Sequence, residues 1–376
     1  MRNSPRERRR WTRTCWCSPS APSWSSSSSS ISFSSEGTDI ARVGFTTTIP
    51  VEVLFAGGHT PVDLNNLFIA SPRPAEFVRL AESDGFPRNS CGWVKGIYGV
   101  ARRHGVTDVI GVAQGDCSFT QALMEVLQYR GVTITPFSFP YDRDHRTISL
   151  EIRKLARRFG TTVARAGGWK RKLDAVRRAA HEIDRLTWEE GKVTGEENHF
   201  WLVSCSDFEG DPEEYERKAL AFLAVARQRP PRRDLIPIAF VGVPPITSGL
   251  HAFFEEEGGR AVLNEVQRQF AMPNATRTLT EQYREYTYPY SFFERLADIR
   301  QETARRGVRG VVHYVQSFCF RQIEDILLRE EIGLPVLTLE GDEPGPPDGR
   351  TKIRIQAFLE MLRDGPGSGE ATRRRS

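Results

Sequence analysis

The stretch Val109-Ile110-Gly111-Val112-Ala113-Gln114-Gly115-Asp116-Cys117 has a counterpart further along the chain, Val311-Val312-His313-Tyr314-Val315-Gln316-Ser317-Phe318-Cys319. Each is an apolar run that ends at a cysteine. Each is followed by a helical pattern and a second apolar run, Val132 to Phe137 in the first copy and Leu334 to Leu339 in the second. Gln114 and Gln316, Cys117 and Cys319, and Gly131 and Gly333 all stand 202 residues apart. Three landmarks at one offset, in one strand–loop–Cys–helix–Gly–strand order, argue for a duplicated βαβ unit. A cysteine directly after such a strand lies at the carboxyl end of a parallel sheet, where open α/β sheets keep their ligands. Two facing halves then carry two cysteines toward one crevice.

Outward from these copies, strands alternate with helices. Val51 to Phe55 reads as a first strand closed by Gly57-Gly58, and Pro61 to Ala70 as the start of a short helix. A helix around Pro74 to Asp84 follows, and Asn89-Ser90-Cys91-Gly92 reads as a turn that opens the next helix. That helix, Trp93 to Arg103, buries Trp93, Ile97, Val100 and Ala101 at spacings of three and four. From about Arg143 to Arg229 the pattern turns helical throughout. One stripe is Ile148, Ile152, Leu155 and Phe159, another Leu173, Val176, Ala180, Ile183 and Leu186, and Tyr215 to Ala226 forms a third. Arg171, Lys172, Arg177 and Arg178 on the opposite face read as solvated surface.

Pro230-Pro231-Arg232-Arg233 is the clearest linker, and Ile236 to Val243 after it echoes Ile49 to Phe55. A helix from Leu250 to Glu257, a strand around Arg260 to Glu265 and a closing helix from Thr351 to Leu362 complete the pattern. In the last, Ile353, Ala357, Phe358 and Leu362 face inward. The fold class expected is α/β: two doubly wound parallel-sheet domains of Rossmann or flavodoxin-like kind facing each other, with an added helical region. Residues 45–230 form the first domain with the helical region, and residues 231–364 form the second.

The chain has 376 residues, 39% hydrophobic and 27% charged, a composition ordinary for a globular protein of about two domains. Its net charge of +4 sits largely in the tails, at Arg2 to Arg13 and Arg373 to Arg375. A nucleic-acid reading fails, because binding needs a basic patch on a folded face. Residues 1–44 pass from Arg-rich sequence into the serine run Ser25 to Ser30. Such acid-poor composition can mark an organellar transit peptide, but without periodic apolar pattern the segment reads as a disordered extension. Residues 365–376 read as a second loose tail. Cys15 and Cys17 lack metal-ligand spacing, and no run approaches the length of a membrane span.

Four cysteines remain: Cys91, Cys117, Cys205 and Cys319. A single free cysteine is most often inert core packing. Cys91 opens a helix after a turn, however, and Cys117 and Cys319 stand where a strand ends and a helix begins. There the helix macrodipole favours an anion, so these thiols are expected to shift toward thiolate, the form a metal centre needs. The tight Cys pairs of a zinc ribbon or ferredoxin are absent, and structural zinc wants a fourth ligand that is not evident. A three-thiolate iron–sulfur cluster with one open iron fits the count better. Cys205, in Val203-Ser204-Cys205-Ser206-Asp207, reads as structural.

Several stretches together resemble the 2-hydroxyacyl-CoA dehydratase family, the iron–sulfur components related to 2-hydroxyglutaryl-CoA dehydratase and benzoyl-CoA reductase. They are Thr48 to Ala56, Gly85 to Cys91, Gln114-Gly115-Asp116-Cys117, Gln316-Ser317-Phe318-Cys319, Pro335 to Asp342 and Arg354 to Glu360. The resemblance covers residues 45–364 and is carried by the order of the motifs and the cysteine placement together. It implies that Cys91, Cys117 and Cys319 ligate one 4Fe-4S cluster between two α/β domains. It also implies a separate ATP-hydrolysing iron–sulfur activator, whose single electron makes a ketyl-type radical of an acyl-CoA thioester and permits elimination of water. Known members usually work as two related subunits, so a paralogous second subunit or a homodimer is expected, in the cytoplasm. An ATP-coupled reductase and a non-catalytic electron-transfer protein are the alternatives on this scaffold.

Other residues carry less. Gly57-Gly58-His59 reads as a tight turn more readily than as a phosphate loop. Glu340 and Asp342 end a strand at the crevice, where they handle a substrate proton or merely cap and solvate. Asp116 is placed to orient the loop of Cys117. No Ser-His-Asp order, P-loop or His-x-x-x-His pair is present.

Overall fold

The computed structural model describes residues 41–364. The expected extension at 1–44 and tail at 365–376 lie outside these, except that Arg42 to Gly44 belong to the first strand. The described residues form two four-stranded sheets, parallel throughout, with helices between the strands. The first contains β1 (Arg42–Phe45), β2 (Thr60–Asp63), β3 (Asp108–Gln114) and β4 (Thr133–Ser138) in the order β2-β1-β3-β4. The second contains β5 (Ile236–Gly242), β6 (Gly259–Asn264), β7 (Gly310–Val315) and β8 (Val336–Glu340) in the order β6-β5-β7-β8. The fold is thus α/β with two doubly wound parallel sheets. The duplication extends beyond the βαβ unit to all four strands: Gly44 pairs with Val109 in one sheet, and Ala239 with Val311 in the other.

Three expectations change in detail. Val51–Ala56 is a helix, and the first strand lies upstream of it. Its six residues are all buried. A short run that is buried on every side carries no period to tell helix from strand, and its alternating valines favour the wrong answer. The true counterpart of β5 is therefore β1, not Ile49 to Phe55. Pro61 falls within β2, an edge strand, where a missing N–H costs no ladder bond. In the closing helix Gly349–Asp364 the inward residues are Ile355, Phe358, Leu359 and Leu362, while Ile353 and Ala357 are exposed.

The halves share a core. Val266, Phe270, Leu279, Tyr283 and Tyr286 of the second half pack with Phe45, Val53, Phe137 and Phe139 of the first and with Leu173, Ile183 and Leu223 of the helical region. Among the described residues no helix is long and apolar enough to cross a membrane.

One buried acid pair ties β2 to the helical region. The Asp63 N–H donates to Asp207 Oδ2 at 2.8 Å, and Glu209 N–H donates to Asp207 Oδ1 at 3.0 Å. Burial raises both carboxyls, and the charge of Asp63 helps push Asp207 up to about 7. An unfolded chain loses this proton near 3.8, whereas the folded chain keeps it to about 7. Stability from this site is therefore present below the ordinary aspartate range and lost as pH climbs to about 7. The unfolding midpoint should fall over that interval, and Asp207→Asn should flatten the slope. A slope equal in both proteins would remove the assignment.

Candidate functional site

Three loops meet at the carboxyl ends of the strands. After β3, Gly115 adopts φ +99°, and Cys117 caps the helix Ser118–Tyr129. A side chain at Gly115 would stand 2.8 Å from Pro289 Cβ, so only glycine lets the loop pass beneath that residue. Asp116 Oδ1 accepts the Cys117 N–H at 2.7 Å, and Cys117 Sγ lies 3.7 Å from Thr120 Oγ1. After β7, the Cys319 N–H donates to Gln316 O at 3.1 Å, and the helix Arg321–Glu331 follows. Asp342, beyond β8, accepts from the Ser317 N–H at 2.6 Å and from its hydroxyl. Asp342 thus fixes the second cysteine loop, whereas Glu340 is exposed.

Cys91 comes from a different element. It caps the helix Gly92–Arg103 and is 8% exposed. This helix start belongs to the first half yet is held by the second. The Gly92 N–H donates to Gln316 Oε1 at 3.2 Å, and Trp93 Nε1 donates to Pro244 O at 3.2 Å. The three thiols are near enough that the charges of Cys117 and Cys319 each act on Cys91, and that of Cys117 on Cys319.

Desolvation, not the helix dipole, decides their protonation. Burial pushes Cys91 and Cys319 up to about 12, and it raises Cys117 as well. The expected drift toward thiolate is corrected: taking a thiol out of water costs its anion more than one helix start returns. A bound cation reverses this, because a coordinating thiol is deprotonated outright. Among the described residues no three His, Cys, Asp or Glu side chains converge on a single metal ion. A polynuclear cluster is held at separate corners, so a soft three-thiol set spread over three loops fits such a group better than one ion.

Cys205 is placed elsewhere. Its thiol is 1% exposed in the turn Ser204–Ser206, within 3.2 Å of Tyr215 Oη and 3.6 Å of Trp201 O. The Gly57-Gly58-His59 segment is the turn that closes the helix Val51–Ala56, with the His59 ring edge-on to Phe159 at 5.3 Å.

Two residues at the site were not singled out from the sequence. Gln316 stood out only as a landmark of the repeat and as part of a resembling motif, with no role of its own, although its copy of the strand end is the one that is buried. Tyr288 lies in Tyr286-Thr287-Tyr288-Pro289-Tyr290, a loop between the helices Leu279–Glu285 and Phe292–Arg305. Pro289 lies against Gly115, as noted above. Arg321, two residues past Cys319, stacks its guanidinium 4.3 Å from the Tyr288 ring centroid and donates to the Tyr288 carbonyl at 3.3 Å. Arg321 thus holds Tyr288 from the helix that follows Cys319, and the next residue, Pro289, lies against the Cys117 loop. Burial, with the charge of Asp116 next, keeps its phenol protonated well above the ordinary tyrosine value.

No curated protein matches the chain. The family model described as 2-hydroxyglutaryl-CoA dehydratase, D-component, matches residues 46–362, from the end of β1 to the last turn of the closing helix. With that share of its length matched, the chain belongs to the 2-hydroxyglutaryl-CoA dehydratase D-component family.

Proposed function

We propose that this chain is the iron–sulfur component of a 2-hydroxyacyl-CoA dehydratase-type lyase, with Cys91, Cys117 and Cys319 holding one 4Fe-4S cluster. The reading is supported most by the Gly92 N–H bond to Gln316 Oε1, which brings the helix start capped by Cys91 to the strand end that precedes Cys319. Three thiolates leave one iron free. Once bound, the cluster would supply a low-potential electron and an open iron acting as Lewis acid beside a thioester carbonyl.

The chain's own residues set the surroundings. Asp116 and Asp342 fix the backbones of the two cysteine loops through the Cys117 and Ser317 N–H groups. Tyr288, held by Arg321, offers a protonated phenol as donor to the substrate carbonyl oxygen. The apolar walls formed by Ile246, Trp93 and Val94 limit water at the Cys91 end. Electron supply falls to a separate ATP-hydrolysing activator, since the sequence contains no P-loop. A paralogous subunit or a second copy completes the enzyme.

Turnover tests the whole reading. The protein alone should be inert toward 2-hydroxyacyl-CoA esters. Adding activator, ATP with magnesium, a strong reductant and any second subunit should give the enoyl-CoA. Dehydration without ATP or reductant would refute the scheme, and ring or double-bond reduction in its place would establish the reductase alternative. Tyr288→Phe keeps the ring and its stacked arginine and removes only the hydroxyl. Its iron content should be unchanged, while kcat/KM should fall by roughly a hundredfold, the cost of one carbonyl-oxygen donor. Unaltered turnover would remove Tyr288 from the reaction.

A further inference from the structure

We infer that Gln316 is a positioning residue that sets Cys91 against Cys319 across the two halves of the chain. Its side chain is 1% exposed and is used at both ends. Oε1 accepts the Gly92 N–H at 3.2 Å, and Nε2 donates to the Gly341 carbonyl. Its own carbonyl accepts the Cys319 N–H at 3.1 Å. One residue therefore touches the peptide that follows Cys91, the end of β8 and the loop that carries Cys319.

The geometry explains why this fixes a thiol. The Gly92 N–H is one of the four amides that a helix start leaves without an intrahelical partner. Holding it fixes the peptide plane beside Cys91, and with it the Cys91 ψ of 129° that aims the side chain. Glycine is required next to it, because a Cβ there would collide with the Asp342 backbone carbonyl and would also crowd Ile246 Cδ1 at 2.9 Å and Gln316 Oε1 at 3.0 Å. The repeat supplies an internal control. Gln114, the residue 202 positions earlier, accepts the Phe139 N–H on its carbonyl at 2.9 Å, but its side chain is exposed. The two copies share the strand end and the cysteine loop, yet only the second uses its glutamine side chain to reach the other half. A pair of like loops has thus been made unlike at the point where the third thiol joins.

The inference rests on the three-thiolate reading, and its test separates the two. Site-resolved hydrogen exchange on the full chain should find the Gly92 amide slow. In Gln316→Met, which matches the length but loses both hydrogen bonds, that amide should exchange about tenfold faster, the worth of one such bond. Amides of β5 and β7 should remain protected. The same variant, purified anaerobically, should lose most of its iron and show an altered electron paramagnetic resonance spectrum. Gln114→Met should change neither quantity. Free exchange at Gly92 in the native chain, or full iron with an unchanged spectrum in Gln316→Met, overturns the inference. Slow exchange that Gln316→Met relieves, in a chain that binds no iron, upholds the clamp and removes the cluster reading instead. Should the methionine variant fail to fold, Gln316→Glu carries the test. It keeps an acceptor for Gly92 but turns a carboxylate onto the Gly341 carbonyl, so iron should fall while the fold persists. Full iron content there overturns the inference as well.

Discussion

Serine at Cys91, Cys117 or Cys319 is expected to strip the anaerobically purified chain of most of its iron, while Cys205→Ser keeps nearly all of it. The native chain should carry about four irons and four sulfides, as one cubane requires. Serine differs from cysteine by a single atom but offers a hard, weakly acidic hydroxyl where iron and sulfide want a soft thiolate. On the proposed three-thiolate set there is no spare ligand, so each loss should count. Cys91 and Cys117 both sit at helix N-caps, where serine is among the best residues. The helices Gly92–Arg103 and Ser118–Tyr129 should therefore survive the exchange, and lost iron would report on ligation rather than on folding. At Cys205 a hydroxyl can still meet Tyr215 Oη and Trp201 O, so the site keeps its hydrogen bonds. Iron and labile sulfide assays check each variant against the native chain. Stoichiometric zinc without sulfide would sink the cluster, and equal loss at Cys205 would show that the ligand set is wrong.

Much of this arrangement could be read from the sequence because it rests on local pattern. The 202-residue offset exposed β3 and β7, the cysteines at their ends and the parallel sheets around them, since a buried strand and its crossover helix each leave a periodic mark. The first strand was missed for the same physical reason. Val51–Ala56 is buried on every side, so it leaves no such mark, and the β1 strand ahead of it is only four residues long. That the helix start at Cys91 is held by the second half could not be deduced from spacing, because the bond runs from the Gly92 N–H to Gln316, 224 residues away. Nor could the protonation of the thiols. A helix start is visible in sequence, but the depth of burial that outweighs it is a property of the assembled fold.

The largest such miss lies away from the site and predicts the largest change in stability. Arg177 sits among basic neighbours on a long helix, and charge patterning places it on a solvated face. In the fold it is 1% exposed and paired with Glu52, which is wholly buried. Arg177 Nη2 donates to Glu52 Oε1 at 2.9 Å, and Gln282 Nε2 and Tyr283 Oη donate to the same carboxylate at 2.7 and 2.8 Å. The Phe208 ring lies 5.4 Å from the guanidinium. The pair joins the helix Val51–Ala56, the helical region at Val163–Arg185 and the second-half helix Leu279–Glu285. Arg177→Ala leaves the Glu52 charge buried without a counter-charge and should cost about 3–5 kcal/mol. Arg177→Lys should not recover it, because a point charge on a flexible stem cannot span Glu52, Gln282 and Asp174 as the planar fork does. The double variant Glu52→Gln with Arg177→Met removes both charges, and it should lose much less than Arg177→Ala alone. Denaturant unfolding of the native chain, Glu52→Gln, Arg177→Met and the double variant measures the coupling. If the double variant is as unstable as the sum of the single losses, the two residues do not act as a pair, and the charge at position 177 is not what holds the three helices together.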